Sequence, residues 1–341
     1  HAIARIARRN VDRAVAAWKK YALRYQFDAH ERGRVRRSLG VAAASRNHDE
    51  RIALLDQIPA ASVDDIVEKY RIRAAIKENA WEELVRWTDN APVGETDSLR
   101  WRYWRARALE NLNRREQAES IFRELAKHRD YYGFLSADRV NLDYQMNHHP
   151  IVADEVEIAE MMGRPGILRA RELFRLKMYF KARGEWQHEV GQLSARQLEV
   201  AAYIVNTWGW YDRAILALGK ARSYDDLEIR FPVRYEQLVR RYAAKRGLDA
   251  SVLYSIIRTE SAFMEDARSP AGALGLMQIM PATGRETARR IGAKLASARD
   301  LLDPGKNVTI GSAYLKEMLG RFGDSFSMAA AAYNAGPHRV R

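Results

Sequence analysis

The sequence predicts an all-α protein whose first two-thirds form an irregular α-superhelical solenoid of helix hairpins. Residues 1 to about 230 consist of one helical pattern after another, separated by short breaks. Strand-like alternation of apolar and polar residues is almost absent from this part of the chain. A small Ala also recurs four residues before a large apolar residue, a spacing that is typical of paired helices.

The hairpin pattern occurs three times along the chain, at intervals that are not constant. The copies pair Ala14 with Trp18, Ala118 with Phe122, and Ala214 with Leu218. A small Ala allows the partner helix to approach closely, and a single hairpin cannot bury its apolar face alone. We therefore expect the hairpins to stack, and the uneven spacing favours an irregular superhelix over a strict repeat array.

Two breaks divide the chain into three predicted parts. The polar stretch at 148–150 ends one helical pattern, and the segment 229–232 precedes a new amphipathic helix. We expect a helical superhelix domain at residues 1–150, a helical linker domain at 151–230 and a separate domain at 231–341.

One carboxylate of the last part lies where a carboxylate is disfavoured. Asp249 or Ser251 can begin a helix there. The helix carries an apolar stripe formed by Leu253, Ile256 and Ile257. Glu260 takes the next position of that stripe, where loss of water would raise its pKa and suit it to general acid catalysis. The alternative is a Glu at the edge of the stripe that reaches water.

Carboxyl groups that catalyse proton transfer often work in pairs with different pKa values, so we looked for a second acid. Glu265 and Asp266 follow Glu260 on the predicted loop and are read as surface residues rather than catalytic ones. Four further acids have no distinguishing context: Glu286, Asp300, Asp303 and Glu317. The sequence therefore indicates one candidate acid without a convincing partner.

The chain beyond Glu260 is no longer a simple helical pattern. Ser269, Pro270, Gly272 and Gly275 favour turns, and Pro281 suits the first position of a new helix. Gln278 lies between apolar residues just before that helix. Its amide is either bonded to a turn backbone in the core or faces a ligand in a cleft.

Five short motifs follow one another between residues 260 and 336. They are Glu260-Ser261, Ser269-Pro-Ala-Gly-Ala273, Gly275-Leu-Met-Gln278, Met280-Pro-Ala-Thr283 and Ala332-Tyr-Asn-Ala-Gly336. This series resembles the soluble lytic transglycosylases, bacterial enzymes that cleave peptidoglycan and whose catalytic domain resembles goose-type lysozyme. The motifs cover the last third of the chain, and the resemblance implies a lysozyme-like, mainly α catalytic domain at 231–341.

The resemblance also implies the chemistry and the roles of six residues. Glu260 would be the single acid and base that cleaves the β-1,4 bond between N-acetylmuramic acid and N-acetylglucosamine, leaving 1,6-anhydromuramoyl ends. Ser269, Gln278, Met280, Tyr333 and Asn334 would shape the cleft and contact the sugars. No cofactor and no metal are expected, and we do not interpret His148-His149 as a metal site.

Composition constrains the partner and the compartment. The formal net charge of +13 implies an anionic partner, either nucleic acid or the carboxylates of the cell wall. No helix-turn-helix, zinc-finger or RNA-binding signature favours nucleic acid. No apolar run approaches 18 residues, and the absence of Cys excludes disulfides and thiol catalysis. We expect a periplasmic monomer, at most peripherally associated with the envelope, that binds peptidoglycan strands.

Three other functions stay open from the sequence alone. They are a hydrolytic muramidase of the same fold, a non-catalytic scaffold that binds the cell wall, and a basic nucleic-acid-binding solenoid. The chain begins at His1 and ends at Arg341 soon after the last motif, so we expect a trimmed start and a C-terminal truncation.

Overall fold

The computed structural model describes residues 2–89 and 99–340, and in these residues the regular secondary structure is helical. Two isolated β-bridges join Leu274 to Arg268 and to Ile279, and no longer strand occurs in the described ranges. The predicted all-α class is therefore confirmed. The expectations attached to His1 and Arg341 concern residues outside the described ranges.

The structure consists of two units, which we describe separately, and the first comprises residues His1–Asn147. Its helices are α1 (Ala2–Ala7), α2 (Val11–Arg24), α3 (Ala29–Ser45), α4 (Arg51–Asp56), α5 (Asp65–Glu78), α6 (Trp81–Asp89), α7 (Leu99–Asn111), α8 (Arg115–Leu125) and α9 (Tyr131–Val140), with a 3₁₀ helix at Ala60–Ser62. Helices that are neighbours in the chain pack together, and α7 and α8 form the clearest hairpin, as the sequence predicts. Ala118 and Phe122 are both buried on α8.

The second unit comprises residues His148–Arg341. Its helices are α10 (Glu155–Met162), α11 (Pro165–Arg175), α12 (Tyr179–Val190), α13 (Ala195–Thr207), α14 (Tyr211–Ala221), α15 (Leu227–Arg230), α16 (Glu236–Arg246), α17 (Ala250–Ser261), α18 (Pro281–Ile291), α19 (Pro304–Arg321) and α20 (Phe326–Ala335), with 3₁₀ helices at Ala298–Leu302 and Pro337–Arg339. The division of the chain at residues 150 and 230 remains a prediction.

Two apolar cores lie within this unit. Helices α10 to α15 enclose one core around Trp186 and Trp210, and the ring of Trp210 stacks on Phe174 with centroids 4.6 Å apart. Helices α16 to α20 enclose the other core, to which α14 contributes Ile215. The predicted helix signals hold here, since the Asp249 side chain caps α17 and Pro281 opens α18.

The tryptophans serve mainly as core residues. Five are buried: Trp18, Trp87, Trp101, Trp186 and Trp210. Trp81, Trp104 and Trp208 are partly buried against the same cores. No helix within residues 2–89 and 99–340 combines the length and apolar character that crossing a bilayer requires.

A buried amide fixes the segment that connects α17 to α18. Asn307 is fully buried on α19, and its Oδ1 accepts a hydrogen bond of 2.8 Å from the Met277 amide. Its Nδ2 donates to the carbonyls of Leu274 at 2.9 Å and Leu301 at 2.7 Å. One side chain therefore satisfies three buried backbone groups, each of which would be costly to leave unpaired.

Gly275 passes so close to this amide that a side chain would not fit. Its φ of +76° is in the left-handed region, and an added Cβ would lie 2.1 Å from the Leu301 carbonyl oxygen and 2.4 Å from the Asn307 Nδ2. The glycine therefore permits both the turn and the contact with α19.

We predict that Gly275→Ala destabilises the protein by about 3 kcal/mol or more, because it combines backbone strain with loss of the Asn307 hydrogen bonds. Gly272→Ala is the matched control, since Gly272 has a φ of +91° but no atom within 4 Å of an added Cβ. We expect the control to lose only about 1–2 kcal/mol. Hydrogen exchange of the Met277 amide and the denaturation midpoint measure the effects, and equal losses in the two variants would contradict this account.

Candidate active site

The carboxyl of Glu260 lies at the end of an apolar helix face without a partner. Glu260 is the penultimate residue of α17, and the stripe below it is formed by Leu253 and Ile257, both fully buried. Its half-buried side chain makes no hydrogen bond or ion pair with any residue in the described ranges. Burial raises the pKa of Glu260, and no nearby cation opposes that shift.

The chain turns sharply just after Glu260. Ala262 and Phe263 have φ values of 48° and 69°, so two consecutive residues with side chains adopt the left-handed conformation. Phe263 is buried in the core, and the Met264 amide donates to the Ser261 carbonyl at 3.0 Å. This turn ends α17 and leads the chain toward residues 274–278, which we call the wall of the site. The sequence shows no Gly or Asn that would have indicated it.

Most other acids in this part of the chain have structural partners. The Glu265 carboxylate accepts a hydrogen bond from the Tyr235 hydroxyl at 2.7 Å, and Asp266 pairs with Arg183. Their side chains are partly exposed, at 32% and 33%. The interpretation that neither is catalytic stays a prediction. The remaining contacts are from Asp300 to the Ala296 amide, from Asp303 to the Lys306 amide, and from Glu317 to Arg290 and Arg321. Glu286 is exposed.

Ser269 belongs to a tight turn. Its Oγ accepts a hydrogen bond of 3.0 Å from the Ala273 amide, and its own amide donates to the Ala273 carbonyl at 3.0 Å. The Gly272 amide donates to the Ser269 carbonyl at 2.9 Å, with Gly272 in the left-handed region. The side chain thus holds the turn together, and its hydroxyl hydrogen is not committed to any contact in the described ranges.

Gln278 combines both of the alternatives that its sequence context left open. Its Nε2 donates to the Gly275 carbonyl at 2.9 Å and approaches the Ala267 carbonyl at 3.4 Å, so the amide nitrogen is bonded to a turn backbone. The residue is half-buried and has a φ of 46°. The nitrogen contacts orient the amide and leave its Oε1 as an acceptor for a ligand.

Tyr333 joins α20 to the segment that contains Gln278. Its hydroxyl donates to the Met277 carbonyl at 2.7 Å, and its ring lies 5.2 Å from the ring of Tyr314. Burial, followed by the negative charge of Glu260, raises the pKa of Tyr333 well above its ordinary value. The Tyr333 phenol therefore lies within electrostatic range of the Glu260 carboxyl.

The contacts of the described residues do not bring the last two predicted site residues to Glu260. Met280 precedes α18 and is 42% exposed, which leaves its thioether accessible to a ligand. Asn334 is exposed in the last turn of α20. Their roles in binding sugars therefore remain predictions.

Asn307 is the residue that sequence reasoning missed. It positions the 274–277 backbone that accepts the Tyr333 hydroxyl, although it is itself buried away from the surface. A signal was present, because Asn307 occupies the buried stripe of α19 together with Val308, Gly311 and Leu315. A polar residue on such a stripe needs partners and can indicate a buried structural hydrogen-bond network.

The arrangement can supply and take up a proton in a poorly solvated place. Burial raises the pKa of Glu260, whose charge acts on the Tyr333 phenol, while the neighbouring acids Glu265 and Asp266 are held by other residues. No group of three or more His, Asp or Glu side chains in the described residues has the geometry to hold a metal ion. In the His148-His149 pair, the Nδ1 of His148 accepts a hydrogen bond from the Leu227 amide at 3.1 Å.

Two family descriptions match this unit. Residues 237–341 match the family described as the transglycosylase SLT domain, and residues 160–227 match the soluble lytic murein transglycosylase L domain. The first match contains all six predicted site residues.

The whole chain is similar to longer proteins. The soluble lytic murein transglycosylase of Escherichia coli K12 is 33% identical over 288 residues, which cover 84% of this chain and 44% of that protein. A lytic transglycosylase from Pseudomonas aeruginosa, solved as an inactive mutant, is 34% identical with a TM-score of 0.87, and the match covers 99% of this chain and 55% of that one. The 70-kDa soluble lytic transglycosylase of E. coli is 29% identical with a TM-score of 0.82, over 100% of this chain and 55% of that one. The chain thus spans about half the length of the relatives it matches.

We predict that Glu260→Gln raises the melting temperature at neutral pH. Because burial raises the folded-state pKa of Glu260, the folded protein binds more protons than the unfolded chain, and the wild type loses stability as pH rises from the ordinary Glu value. Each kcal/mol of unfolding free energy that the neutral amide adds should raise the melting temperature by about 2–4 °C. The gain should vanish at about pH 4, near the ordinary Glu pKa.

Glu286→Gln serves as the control, since Glu286 is an exposed carboxylate on α18. We expect it to show no comparable gain. Equal or lower stability of Glu260→Gln at neutral pH would show that the Glu260 carboxyl is better solvated or better paired than the structure indicates.

Proposed function

We propose that the protein is a lytic transglycosylase of peptidoglycan. The proposal starts from the match of residues 237–341 to the transglycosylase SLT domain family and from the homology of the chain to the soluble lytic murein transglycosylases. Its substrate would be the β-1,4 bond between N-acetylmuramic acid and N-acetylglucosamine. The observation that carries the proposal is the desolvated, unpaired carboxyl of Glu260 among neighbouring acids that have structural partners.

Glu260 begins the proposed reaction as an acid. Its carboxyl proton passes to the glycosidic oxygen, the bond from that oxygen to the muramoyl C1 breaks, and the N-acetylglucosamine side leaves as an alcohol. The 2-acetamido oxygen of the same muramoyl unit bonds to C1 and takes the positive charge. Substrate assistance of this kind replaces an enzyme nucleophile.

Glu260 then acts as a base. Its carboxylate accepts the proton of the muramoyl C6 hydroxyl, whose oxygen attacks C1 and displaces the acetamido oxygen. The product is a 1,6-anhydromuramoyl end, Glu260 is protonated again, and no water is consumed. One group can serve both steps because burial brings its pKa toward the working pH.

The neighbouring polar groups have complementary roles in this proposal. The Oε1 of Gln278 can accept a hydrogen bond from a sugar hydroxyl or from an acetamido N–H, since its Nε2 is held by the backbone. The Tyr333 hydroxyl gives its hydrogen to Met277, so its oxygen can act toward a sugar only as an acceptor. Ser269, Met280 and Asn334 would line the remainder of the glycan path.

The charge of the protein is consistent with a wall polymer as substrate. A net charge of +13 favours association with the carboxylates of stem peptides and lactyl groups. We propose that the protein works in the periplasm, where this polymer lies, and as a monomer.

We predict that the purified protein releases anhydromuramoyl products from peptidoglycan and that Glu260→Gln releases none. The amide cannot donate the proton that the leaving group needs, and loss of such a group lowers rates by about 10²–10⁴-fold or more. Mass spectrometry distinguishes the products, which are lighter by one water than hydrolysis products. The exposed variant Glu286→Gln should match the wild type.

Two results would overturn the assignment. Reducing-end products from the wild type would identify a hydrolytic muramidase of the same fold. A Glu260→Gln variant that still forms anhydromuramoyl ends would remove Glu260 from the chemistry.

We also predict that kcat/KM falls as pH rises through the raised pKa of Glu260, because the free enzyme must carry the proton. The titratable group facing it, Tyr333, has a pKa shifted further upward and stays neutral over this range. This decrease is measured as kcat/KM on soluble glycan strands at several pH values. A loss of activity centred at about 4.3, the ordinary Glu value, would contradict a desolvated acid.

A further inference from the structure

The residue types in the turn after Glu260 do not favour its backbone conformation. Ala262 and Phe263 both adopt a conformation that residues with side chains avoid, and neither is a Gly or an Asn. A strained turn of this kind persists only when its surroundings fix it. The contacts of the next four residues therefore decide where the end of α17, and with it Glu260, lies.

Helix α12 supplies one of those contacts. Arg183 forms an ion pair with Asp266, four residues after the first strained position, and both side chains are largely buried, with 24% and 33% exposure. The charge of Arg183 also acts on Asp212 of α14, which is buried and paired with Arg213 at 2.8 Å. The positive charge of Arg183 therefore acts on two carboxylates, Asp212 and Asp266, that repel each other.

The segment before α16 supplies another contact to the same turn. The Tyr235 hydroxyl donates to Glu265 at 2.7 Å, and the Arg234 guanidinium lies 3.7 Å from the same carboxylate. Arg234 also donates to the Gly209 carbonyl at 2.9 Å. Glu265 thus ties the turn to the start of α16, and Asp266 ties it to α12.

The far wall of the site has a separate anchor. Asn307 of α19 fixes Leu274 and Met277 through hydrogen bonds that do not involve α12. The Asn307 bonds therefore hold the wall that carries Gln278 and receives the Tyr333 hydroxyl independently of α12. The wall also meets the chain just beyond the turn, where the Gly275 amide donates to the Ala267 carbonyl at 2.9 Å. Because Asn307 holds the wall and Arg183 holds the turn, we expect loss of one anchor or the other to affect kcat and KM differently.

We propose that Arg183 is a positioning residue for the reaction, which holds the Glu260 carboxyl at the bond to be cleaved by pairing with Asp266 across the 262–266 turn. The inference rests on the proposed function, because it assigns Glu260 the role of acid and base. It also gives residues of the predicted linker domain a part in catalysis without contact to the substrate.

Loss of the pair should lower kcat and leave KM nearly unchanged. In Arg183→Gln, the Asp266 carboxylate loses its cationic partner and is still repelled by Asp212. We expect the turn to relax and the Glu260 carboxyl to move out of position. A displacement of about 1 Å at a reacting group can cost about 10²-fold in rate. We expect kcat to fall about 10- to 100-fold, with KM within about twofold because the wall keeps its Asn307 anchor.

The experiment measures kcat and KM on soluble glycan strands for the wild type, Arg183→Gln, Asp266→Asn and the double variant. Because the two residues act as one unit, the double variant should be no slower than the slower single variant. Arg183→Lys should recover much of the rate, since it keeps the charge. Arg169→Gln is the matched control, as it removes an ion pair of α11 and α12 at 2.8 Å that does not reach the turn.

Hydrogen exchange of the Met277 amide reports whether the wall is intact in each variant, and Asp266→Asn tests the pair if Arg183→Gln does not fold. A wild type without anhydromuramoyl products would end the proposed function. An active wild type with single-variant kcat values within twofold of its own, or with additive losses in the double variant, would overturn the positioning role alone.

Discussion

The structure of the second unit depends on keeping one carboxyl away from water without giving it a partner. A cation or a hydrogen-bond donor close enough to fix the Glu260 side chain would stabilise its charged form and lower its pKa. A carboxyl whose pKa is to stay raised cannot be oriented in that way. Its position therefore has to come from the backbone that carries it, and the surrounding contacts are arranged to fix that backbone.

Three features fix the backbone of Glu260. The Asp249 side chain caps the start of α17, and the apolar stripe at Leu253 and Ile257 sets the rotation of the helix in its core. The turn at Ala262–Phe263 then ends the helix within one residue of the acid. Charged groups take part only beyond that turn, where Glu265 accepts a hydrogen bond from Tyr235 and Asp266 pairs with Arg183.

Local patterns in the sequence were sufficient for the helices and for the acid. Glu260 at the end of a periodic apolar stripe and Pro281 at the start of a helix are signals within one or two turns, and the structure has both features. The Arg183–Asp266 pair joins residues 83 positions apart, which no periodicity reports. The left-handed Ala262 and Phe263 were unpredictable for another reason, because tertiary contacts override their intrinsic preference for right-handed backbone.

The hydrogen bonds and ion pairs of the other acids matter for the proposed mechanism as much as Glu260 does. Carboxylates that cap helices or pair with arginines, such as Asp303 and Glu317, cannot approach an anomeric carbon without giving up those contacts. In the proposed reaction, a site with one available acid takes its nucleophiles from the substrate. Only a sugar with a 2-acetamido group and a free C6 hydroxyl supplies both, so in the proposed reaction the structural use of neighbouring carboxylates becomes a source of substrate specificity.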